Sequence, residues 1–396
     1  MKTATAWATE TSFDAIQNAY RRLLKELGDE PSTLVVSFSV NYDPNLVLKA
    51  IRELSPNVPV QGASSCLGAM TQDGFHSNKG SGLSFFGILD PEGSYGVSAS
   101  IIADDAKQAA KDALEQALVA ANCAGEVPAM IWLTAAPGFE ERLMEGIAEV
   151  VGDGVPIAGG SSADNTVTGE WKQFSGDTVY DNAVVVGAMF PSTEIMFAFH
   201  SGYEPTGNKG KVTKIAGRTL SEIDHRPAAE VYNEWTSGLI SKEIAAGGSI
   251  LAATSLHPLG RVAGHIGKIP YFQLTHPNAV LEKGALSLFT DLAIDDEIVL
   301  MQGSVDSLVS RAARVASSAK EMNPLKSSEI AGALIIYCAG CMLTVKDKID
   351  EVVHGLKEEL PDTPFMGSFT FGEQGCFVGG ENRHGNLMIS VLLFTY

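Results

Sequence analysis

One structural unit occurs three times along the chain and limits the possible folds more than any other feature. Each copy has a hydrophobic strand, an amphipathic helix, a turn of the pattern Pro-apolar-X-Gly-small-hydroxyl, and a second hydrophobic strand. The three turns occupy residues 59–65, 156–162 and 364–370. A turn repeated at matching offsets indicates one architectural device used three times, so function is expected where the copies meet.

The hydrophobic runs around each turn have the length of strands and the spacing of a βαβ unit. The runs before the turns are residues 34–38, 130–133 and 334–337, and those after the turns are residues 83–89, 183–189 and 387–394. Near-continuous apolar runs are typical of strands that are covered on both faces. We predict an α/β (α+β) fold in which repeated βαβ-like units form mixed sheets covered by helices.

The length of the chain predicts two domains. Single cores stop growing at about 250–300 residues, and this chain has 396 residues, of which 45% are hydrophobic. Turn-forming residues at 202–211 predict a linker or inter-domain hairpin, followed by a short strand at 212–215. We place the N-terminal domain, with two copies of the unit, at residues 1–226. The C-terminal domain, at residues 227–396, carries a β-rich insertion at 249–303 and the third copy. Helices are predicted at residues 12–28, 105–121 and 305–322, and another starts near Pro227.

Charge and composition exclude several classes of partner. The formal net charge of −19 would repel nucleic acid and anionic lipid, and no basic segment offsets it. The N-terminus lacks the apolar core of a signal peptide, and the longest apolar run, residues 331–345, is shorter than the ~20 residues that span a bilayer. Five cysteines are a sparse, odd set that fits a reducing compartment. We expect a cytoplasmic protein with neither nucleic acid nor membrane as a partner.

The glycine- and hydroxyl-rich turns are candidates for a ligand-binding site. Glycine lets backbone N–H groups approach a ligand, hydroxyls both donate and accept hydrogen bonds, and two nearby acids could take an amine. The alternative is that glycine only makes the turn and serine satisfies nearby backbone groups. The candidates are Gly62, Ser64, Ser65, Gly159, Gly160, Ser161, Asp164, Gly367, Ser368, Thr370 and Glu373.

Two further patterns could bind a metal or cofactor. Cys338 and Cys341 have the Cys-X-X-Cys spacing of zinc ribbons and dithiol redox sites, although buried cysteines with no chemical role have the same spacing. His257 and His276 each precede a proline, and a neutral imidazole on a rigid turn could ligate a haem iron or another metal. We take His276 as the first axial candidate and His257 as the second. Either could instead be an ordinary surface or core histidine.

Signatures of catalysis are missing from the sequence. It contains neither a nucleophile elbow nor a His-Glu-X-X-His motif, so we predict no catalytic residue and a non-enzymatic protein. The enzyme alternative is a thiol- or zinc-dependent reaction at Cys338 and Cys341, with Glu373 as acid or base.

Several short motifs, in order along nearly the whole chain, resemble the FIST (F-box and intracellular signal transduction) family, which has an N-terminal and a C-terminal family domain. In the N-terminal half they lie at residues 62–65, 159–164 and 212–228. In the C-terminal half they lie at residues 257–260, 284–289, 300–301, 338 and 367–373.

The resemblance implies a cytoplasmic sensor of small ligands that works with a sensor histidine kinase or a cyclic-di-GMP enzyme. A FIST protein of this length is also similar to the haem-binding nitric-oxide sensors called NosP, which implies haem b as a cofactor and nitric oxide as the signal. The alternatives are a sensor of amino acids or similar metabolites without haem, and an interaction subunit without a ligand. A homodimer is possible in each case.

Overall fold

The computed structural model describes residues 1–324, 329–377 and 379–396. The strands within these residues are β1 (Lys2–Ala8), β2 (Thr33–Phe38), β3 (Val60–Ser64), β4 (Ala69–Thr71), β5 (Gly74–His76), β6 (Leu83–Leu89), β7 (Ser94–Ile101), β8 (Met130–Ala135), β9 (Ile157–Ser161), β10 (Gln173–Ser175), β11 (Thr178–Tyr180), β12 (Ala183–Phe190), β13 (Ile195–His200), β14 (Glu204–Ala216), β15 (Thr219–Ile223), β16 (Arg226–Pro227), β17 (Gly248–Ser249), β18 (Leu259–Ile266), β19 (Ile269–Thr275), β20 (Pro277–Val280), β21 (Leu286–Leu288), β22 (Glu297–Gln302), β23 (Ile330–Cys338), β24 (Phe365–Thr370), β25 (Gly372–Cys376), β26 (Asn382–Gly385) and β27 (Ile389–Thr395). The α-helices are α1 (Phe13–Leu27), α2 (Pro44–Arg52), α3 (Ala106–Ala120), α4 (Glu140–Val151), α5 (Ala228–Trp235), α6 (Ser241–Ala246), α7 (Leu251–Thr254), α8 (Val305–Lys320), α9 (Ala339–Thr344) and α10 (Ile349–Glu359), with 3-10 turns at Glu282–Gly284 and Lys346–Lys348.

Each copy of the repeated unit contains two parallel strands joined by a crossover helix. The pairs are β2 with β3, β8 with β9, and β23 with β24, and α2, α4 and α10 make the crossovers. A third strand, β6, β12 or β27, runs antiparallel beside the first strand of each pair. The predicted mixed α/β architecture is therefore confirmed.

The segments that the sequence predicted as turns are mostly strands. Residues 60–64, 157–161 and 365–370 form β3, β9 and β24, whereas the proline before each strand, together with Ser65 and Ser162, lies in a loop. The carbonyls of Pro59, Pro156 and Pro364 each accept a backbone hydrogen bond from the first strand of their unit. Parallel pairing therefore overrides the turn preference of glycine and serine, because it satisfies the backbone groups along the segment.

Each unit also carries a β-hairpin that completes the sheet of another unit. The hairpin β4–β5 of the first unit pairs with β24 of the third. Hairpin β10–β11 of the second unit pairs with β3 of the first, and hairpin β25–β26 of the third pairs with β9 of the second. The exchange is cyclic, so each of the three six-stranded sheets contains strands from two units.

The three copies meet in a closed ring of backbone hydrogen bonds. Equivalent positions, just after each of β3, β9 and β24, donate to equivalent carbonyls in the neighbouring copy. The bonds are Cys66 N to Phe369 O (3.0 Å), Ala163 N to Ser64 O (2.8 Å) and Phe371 N to Ser161 O (3.1 Å).

The three sheets enclose a common apolar core and are covered by helices on their outer faces. Side chains from all three units, including Phe86, Trp132 and Phe394, share the inner core. Helices α1 and α2 cover the first sheet, α3 and α4 the second, and α8 and α10 the third. Burial on both faces explains the near-continuous apolar runs in the sequence.

Residues 202–211 do not form the predicted linker or hairpin. Most of the segment belongs to the long strand β14, which pairs first with β22 and then with β15 in a nine-stranded sheet built largely from the insertion. The register shifts between Pro205 and Lys209. A register shift of this kind accommodates turn-forming residues within a strand. The residues on either side of the shift pair with β22, later residues of the strand pair with β15, and this pairing keeps β14 extended.

The predicted helices form close to their expected ends. Helix α1 begins after Ser12, whose hydroxyl accepts a hydrogen bond from Ala15 N, and ends at Gly28, whose φ of 87° suits glycine. Helices α3 and α8 also lie within the predicted ranges. No helix in the described ranges combines the length and apolar character needed to cross a membrane.

Candidate functional site

A cavity of about 800 Å³ lies between the second unit, the third unit and the insertion. This volume suits a ligand of drug or cofactor size. Exposed Val167 and Leu343 also border it, so the cavity has a route to solvent. Much of its wall is apolar, and the apolar members include Val167, Trp171, Leu251, Ala252, Phe289, Ala339, Leu343 and Phe371.

His276 lines this cavity and carries a ring nitrogen without a partner. The side chain is 3% exposed, and its Nε2 has no hydrogen-bond partner among the described residues. Burial lowers the pKa of His276 to about 4, although a hydrogen bond to the Leu251 backbone opposes the shift. The imidazole is therefore neutral at physiological pH, and its Nε2 lone pair or proton is available to a ligand.

Neighbouring residues hold His276 in place and keep space beside its ring. Asn386 Oδ1 accepts a hydrogen bond from His276 N (3.3 Å), while Asn386 Nδ2 has no partner among the described residues. Phe289 packs edge-on against the imidazole, with 6.3 Å between ring centroids. A Cβ on Gly340 would lie 3.7 Å from His276 Cε1. The cavity therefore offers two unsatisfied nitrogen groups in a largely apolar setting.

Arg218 lies at the polar edge of the cavity and is already neutralised. Its guanidinium contacts Glu140 (2.8 Å), Glu141 (2.6 Å) and Asp291 (3.0 Å). Burial opposes ionisation of Glu140, but His384 and Arg218 outweigh it and lower the pKa of Glu140 to about 2. The charge of Arg218 is therefore already compensated by carboxylates of the protein.

The described residues include one group whose ligand atoms could surround a metal ion, formed by Glu140, Glu141 and His384 within 4.8 Å. Arg218 bonds both carboxylates of this group, so the site already holds a cation. Cys338 and Cys341 do not belong to it. Both are buried cysteines outside any disulfide.

Among the candidates from the three repeated segments, only Thr370 lines the cavity. The glycines are sites of close packing: a Cβ on Gly62 would lie 2.1 Å from the Phe174 ring, and one on Gly159 would lie 1.8 Å from Leu133 O. The serine hydroxyls are largely engaged inside the protein. Ser64 accepts from Lys172 N, Ser65 donates to Gly68 O, and Ser161 donates to Glu140. The remaining candidates Gly160, Gly367 and Ser368 lie in β9 and β24.

The two candidate acids are buried and hydrogen-bonded. Asp164 accepts five backbone N–H groups from residues 166–170 and so fixes the loop that forms one cavity wall. Burial opposes a low pKa for Asp164, but these N–H groups outweigh it. Burial raises the pKa of Glu373 well above its ordinary value, and its oxygens accept from Thr370 Oγ1 and Met388 N.

The histidine candidates fall in different places. His276 lines the cavity, whereas His257 is only half-buried, does not line it, and offers its carbonyl to Tyr232 Oη (2.6 Å). Cys338 also lines the cavity, with Cys341 one helical turn behind it. The structure thus brings His276, Cys338 and Thr370 together at one site.

Sequence reasoning did not identify Asn386, Phe289, Trp171 or Arg218 as parts of this site. Arg218 and Phe289 lie in segments that carried the family resemblance, which was the one available signal. Asn386 and Trp171 reach the cavity through hairpin exchange and the fixed 164–170 loop, which no local pattern reveals.

The chain thus combines a three-unit α/β fold with a ligand-sized cavity between its N- and C-terminal parts. Sequence comparison identifies the family: a FIST N domain matches residues 33–226, and a FIST C domain matches residues 228–376. The chain belongs to the FIST family. FIST domains indicate a small-ligand sensor in signal transduction.

Other similarities are more distant. An uncharacterized protein of Methanocaldococcus jannaschii is 31% identical over 83 residues, which is 21% of this chain and 16% of that protein. The chain therefore matches about a sixth of the length of this relative. Among solved structures, a cyanuric acid hydrolase has a TM-score of 0.35 and 9% identity over 99% of this chain and 100% of its own. A cyanuric acid hydrolase from A. caulinodans has a TM-score of 0.33 and 9% identity over 99% and 98%.

Proposed function

We propose that this protein is a cytoplasmic, haem-dependent nitric-oxide sensor, with haem b held at His276, that regulates a partner sensor histidine kinase or cyclic-di-GMP enzyme. The observation that carries the proposal is the buried, neutral His276, whose Nε2 has no partner among the described residues and lies in a cavity of about 800 Å³. An unsatisfied imidazole nitrogen is costly unless a ligand occupies it.

The cavity residues fit a haem group. Neutral imidazole is an axial ligand of haem iron, and apolar walls suit a macrocycle. Cys338 is a poorer ligand, because burial raises the pKa of its thiol well above the ordinary value and keeps it protonated. Bound haem would supply the iron position at which nitric oxide coordinates. The protein would supply His276, the Phe289 contact that orients the ring, and exclusion of water.

Free amino acids are less suited to this cavity. Their carboxylate needs an available cation, and among the described lining residues Arg218 is the one permanent cation. Three protein carboxylates already bond it. Binding the carboxylate of an amino acid inside the cavity would require breaking these ion pairs. The two propionates of haem b are on one edge of an otherwise apolar macrocycle, so they would face solvent beside the exposed Val167 and Leu343 and leave the ion pairs intact.

The position of the cavity suggests how occupancy reaches a partner. Residues 137–218 on one side belong to the FIST N domain, and residues 249–371 on the other belong to the FIST C domain. A ligand that contacts both domains stabilises the relative position of the two domains in which it can make all of these contacts at once. Nitric oxide would shift the population between two arrangements, and the partner enzyme would bind them differently.

Haem titration of the apo protein tests the proposal. We expect an intense Soret band that saturates at one haem per chain and shifts when nitric oxide is added to the ferrous form. His276→Ala and the more conservative His276→Gln should weaken haem binding at least tenfold or change the spectrum, because the axial nitrogen is lost. His257→Ala is the matched control, since its imidazole lies outside the cavity, and it should match the wild type.

Circular dichroism of each variant separates loss of haem from loss of folding. If a folded His276→Ala protein keeps the wild-type haem affinity, spectrum and nitric-oxide response, His276 is ruled out as the haem ligand. A wild-type protein that never acquires a Soret band would rule out haem.

A further inference from the structure

Arg311 is a buried cation that forms no ion pair with an Asp or Glu among the described residues. Its side chain, on helix α8, is 1% exposed. Nη2 donates to the carbonyls of His200 and Leu387, and Nη1 donates to Cys341 Sγ (3.5 Å). None of the hydrogen bonds that the described residues make with Arg311 involves a carboxylate. A buried guanidinium is stable only beside a compensating negative charge.

Cys341 is the group that can provide this charge. Its Sγ accepts from Arg311 and lies 3.6 Å from Tyr203 Oη. Glu373 is close enough to interact with both, but burial raises the pKa of its carboxyl well above the ordinary value and keeps it neutral. Burial alone would raise the pKa of Cys341 too, but the Cys338 hydrogen bond and Arg311 outweigh it and lower the pKa to about 7.

Cys338 connects this buried pair to the cavity. It lines the cavity wall and is the N-cap residue of α9, the helix that contains Cys341. Two cysteines at this Cys-X-X-Cys spacing at the start of a helix can form a disulfide, as they do in thiol–disulfide oxidoreductases. The other cysteines are buried at separate places: Cys66 follows β3, Cys123 follows α3, and Cys376 ends β25.

We propose that Cys338 and Cys341 form a redox-active dithiol that exchanges with low-molecular-weight disulfides entering the cavity. Cys338 transfers its proton to the Cys341 thiolate and attacks one sulfur of the disulfide. A mixed disulfide forms at Cys338, and the first small thiolate leaves with the proton that Cys341 now carries. Cys341 then attacks Cys338 Sγ and expels the second small thiolate. The protein dithiol is oxidised by two electrons, and the small disulfide is reduced to two thiols.

Oxidation would change the protein around Arg311. The disulfide carries no charge, so the guanidinium loses its counter-charge while it remains buried. Arg311 joins α8 to β13 and to the segment before β27 through the carbonyls of His200 and Leu387. We therefore expect the oxidised form to have a lower melting temperature than the reduced form. The dithiol reaction needs no haem, so it can be tested independently of the proposed nitric-oxide sensing.

The test exposes full-length, haem-free protein to oxidised glutathione, followed by acid quenching, alkylation in denaturant and mass spectrometry. We expect the peptide that contains Cys338 and Cys341 to lose two hydrogens while the other three cysteines remain alkylated. Cys341→Ser should stop at glutathione bound to Cys338, because the resolving thiolate is gone. Cys376→Ser is the matched control and should form the disulfide at the wild-type rate.

Arg311→Met should slow the reaction at pH 7 at least tenfold if the variant folds. Independently of that variant, the ultraviolet absorbance of thiolate in the wild type should titrate near neutral pH and disappear in Cys341→Ser. The proposal fails if both thiols stay alkylatable under excess oxidised glutathione, or if glutathione distributes evenly over all the cysteines. Thiolate absorbance that Cys341→Ser leaves unchanged would also overturn it.

Discussion

At the scale of single residues, buried titratable groups link the stability of this protein to pH. His76, at the end of β5, stacks on Trp7 with 4.0 Å between ring centroids, and its Nε2 lies 2.7 Å from Thr71 Oγ1. Burial lowers the pKa of His76 to about 4, although nearby Asp73 opposes the shift. The imidazole is therefore neutral in the folded protein at pH values where an unfolded chain binds a proton.

Acidification should reduce stability through His76. The unfolded state binds the proton on His76 below about pH 6.5, whereas the folded state binds it only below about pH 4. The free energy of unfolding therefore decreases as the pH falls from about 6.5 to about 4, by at most about 3 kcal/mol. In urea denaturation, the wild type should lose about 2 kcal/mol more between pH 7 and pH 5 than His76→Gln. His354→Gln, at an exposed position, should parallel the wild type. A difference between wild type and His76→Gln that does not change with pH would contradict this assignment.

The residue scale also shows what the sequence could reveal about the site. Placing His276 on a rigid His-Pro turn made it an axial candidate, and it lines the cavity. Its unpartnered nitrogen depends on side chains distant in sequence, which no local pattern contains. The chemistry of glycine and serine made these residues candidates for ligand binding. In the structure, close packing against the Phe174 ring and Leu133 O explains why Gly62 and Gly159 have no side chain.

At the scale of elements, the loop at residues 164–170 depends on one carboxylate. Asp164 is 0% exposed, and its two oxygens accept all the backbone N–H groups from Thr166 to Glu170. The loop carries Val167, Thr168 and Gly169 into the cavity wall. The geometry of this wall therefore follows from a carboxylate that does not itself line the cavity.

Asp164→Asn should loosen that wall. The amide can accept with one atom only, so some loop N–H groups lose their partner, and we expect a loss of about 3 kcal/mol in unfolding free energy. Hydrogen exchange at residues 166–170 should accelerate as well. Asp181→Asn, at a side chain that is 81% exposed, should change the stability by less than about 0.5 kcal/mol. Unchanged exchange in a folded Asp164→Asn protein would show that the loop does not need the carboxylate.

Local signals predicted helices well and the central strands less well. Ser12 and Gly28 determine the ends of α1 through interactions within a few residues, so the sequence contains the necessary information. Residues 60–64 were interpreted as a turn because glycine and serine favour turns. They form β3 because β2 and β10 pair with the segment on both sides. One of those partners lies more than one hundred residues away.

At the scale of the whole molecule, the cyclic exchange of hairpins makes the two family domains interdependent. Strands β4, β9 and β13 lie in the N-terminal part, yet each pairs with a strand of the C-terminal part. The sequence predicted three units and two domains but contained no local sign of this exchange, because the pairings join segments far apart along the chain.

Fragments should therefore fail to fold alone. Residues 1–226 expressed separately would expose unpaired edges on at least five strands, namely β4, β9, β13, β14 and β15, and such edges promote aggregation. We expect aggregation or unfolded spectra for this fragment, and recovery of a stable complex when residues 227–396 are co-expressed. Size-exclusion chromatography with circular dichroism measures both outcomes, and the intact chain is the control. A monomeric, cooperatively unfolding 1–226 fragment would show that the N-terminal part is autonomous.

The pairing of β4 with β24 also has a consequence during synthesis on the ribosome. Residues 69–71 must wait for residues 366–368 to emerge before they pair. At translation rates of about 5–20 residues per second, that delay is roughly 15 to 60 seconds. The first hairpin is therefore exposed on the nascent chain for most of translation. Chaperones that bind nascent chains should contact this region early and release it only after the last residues have left the exit tunnel.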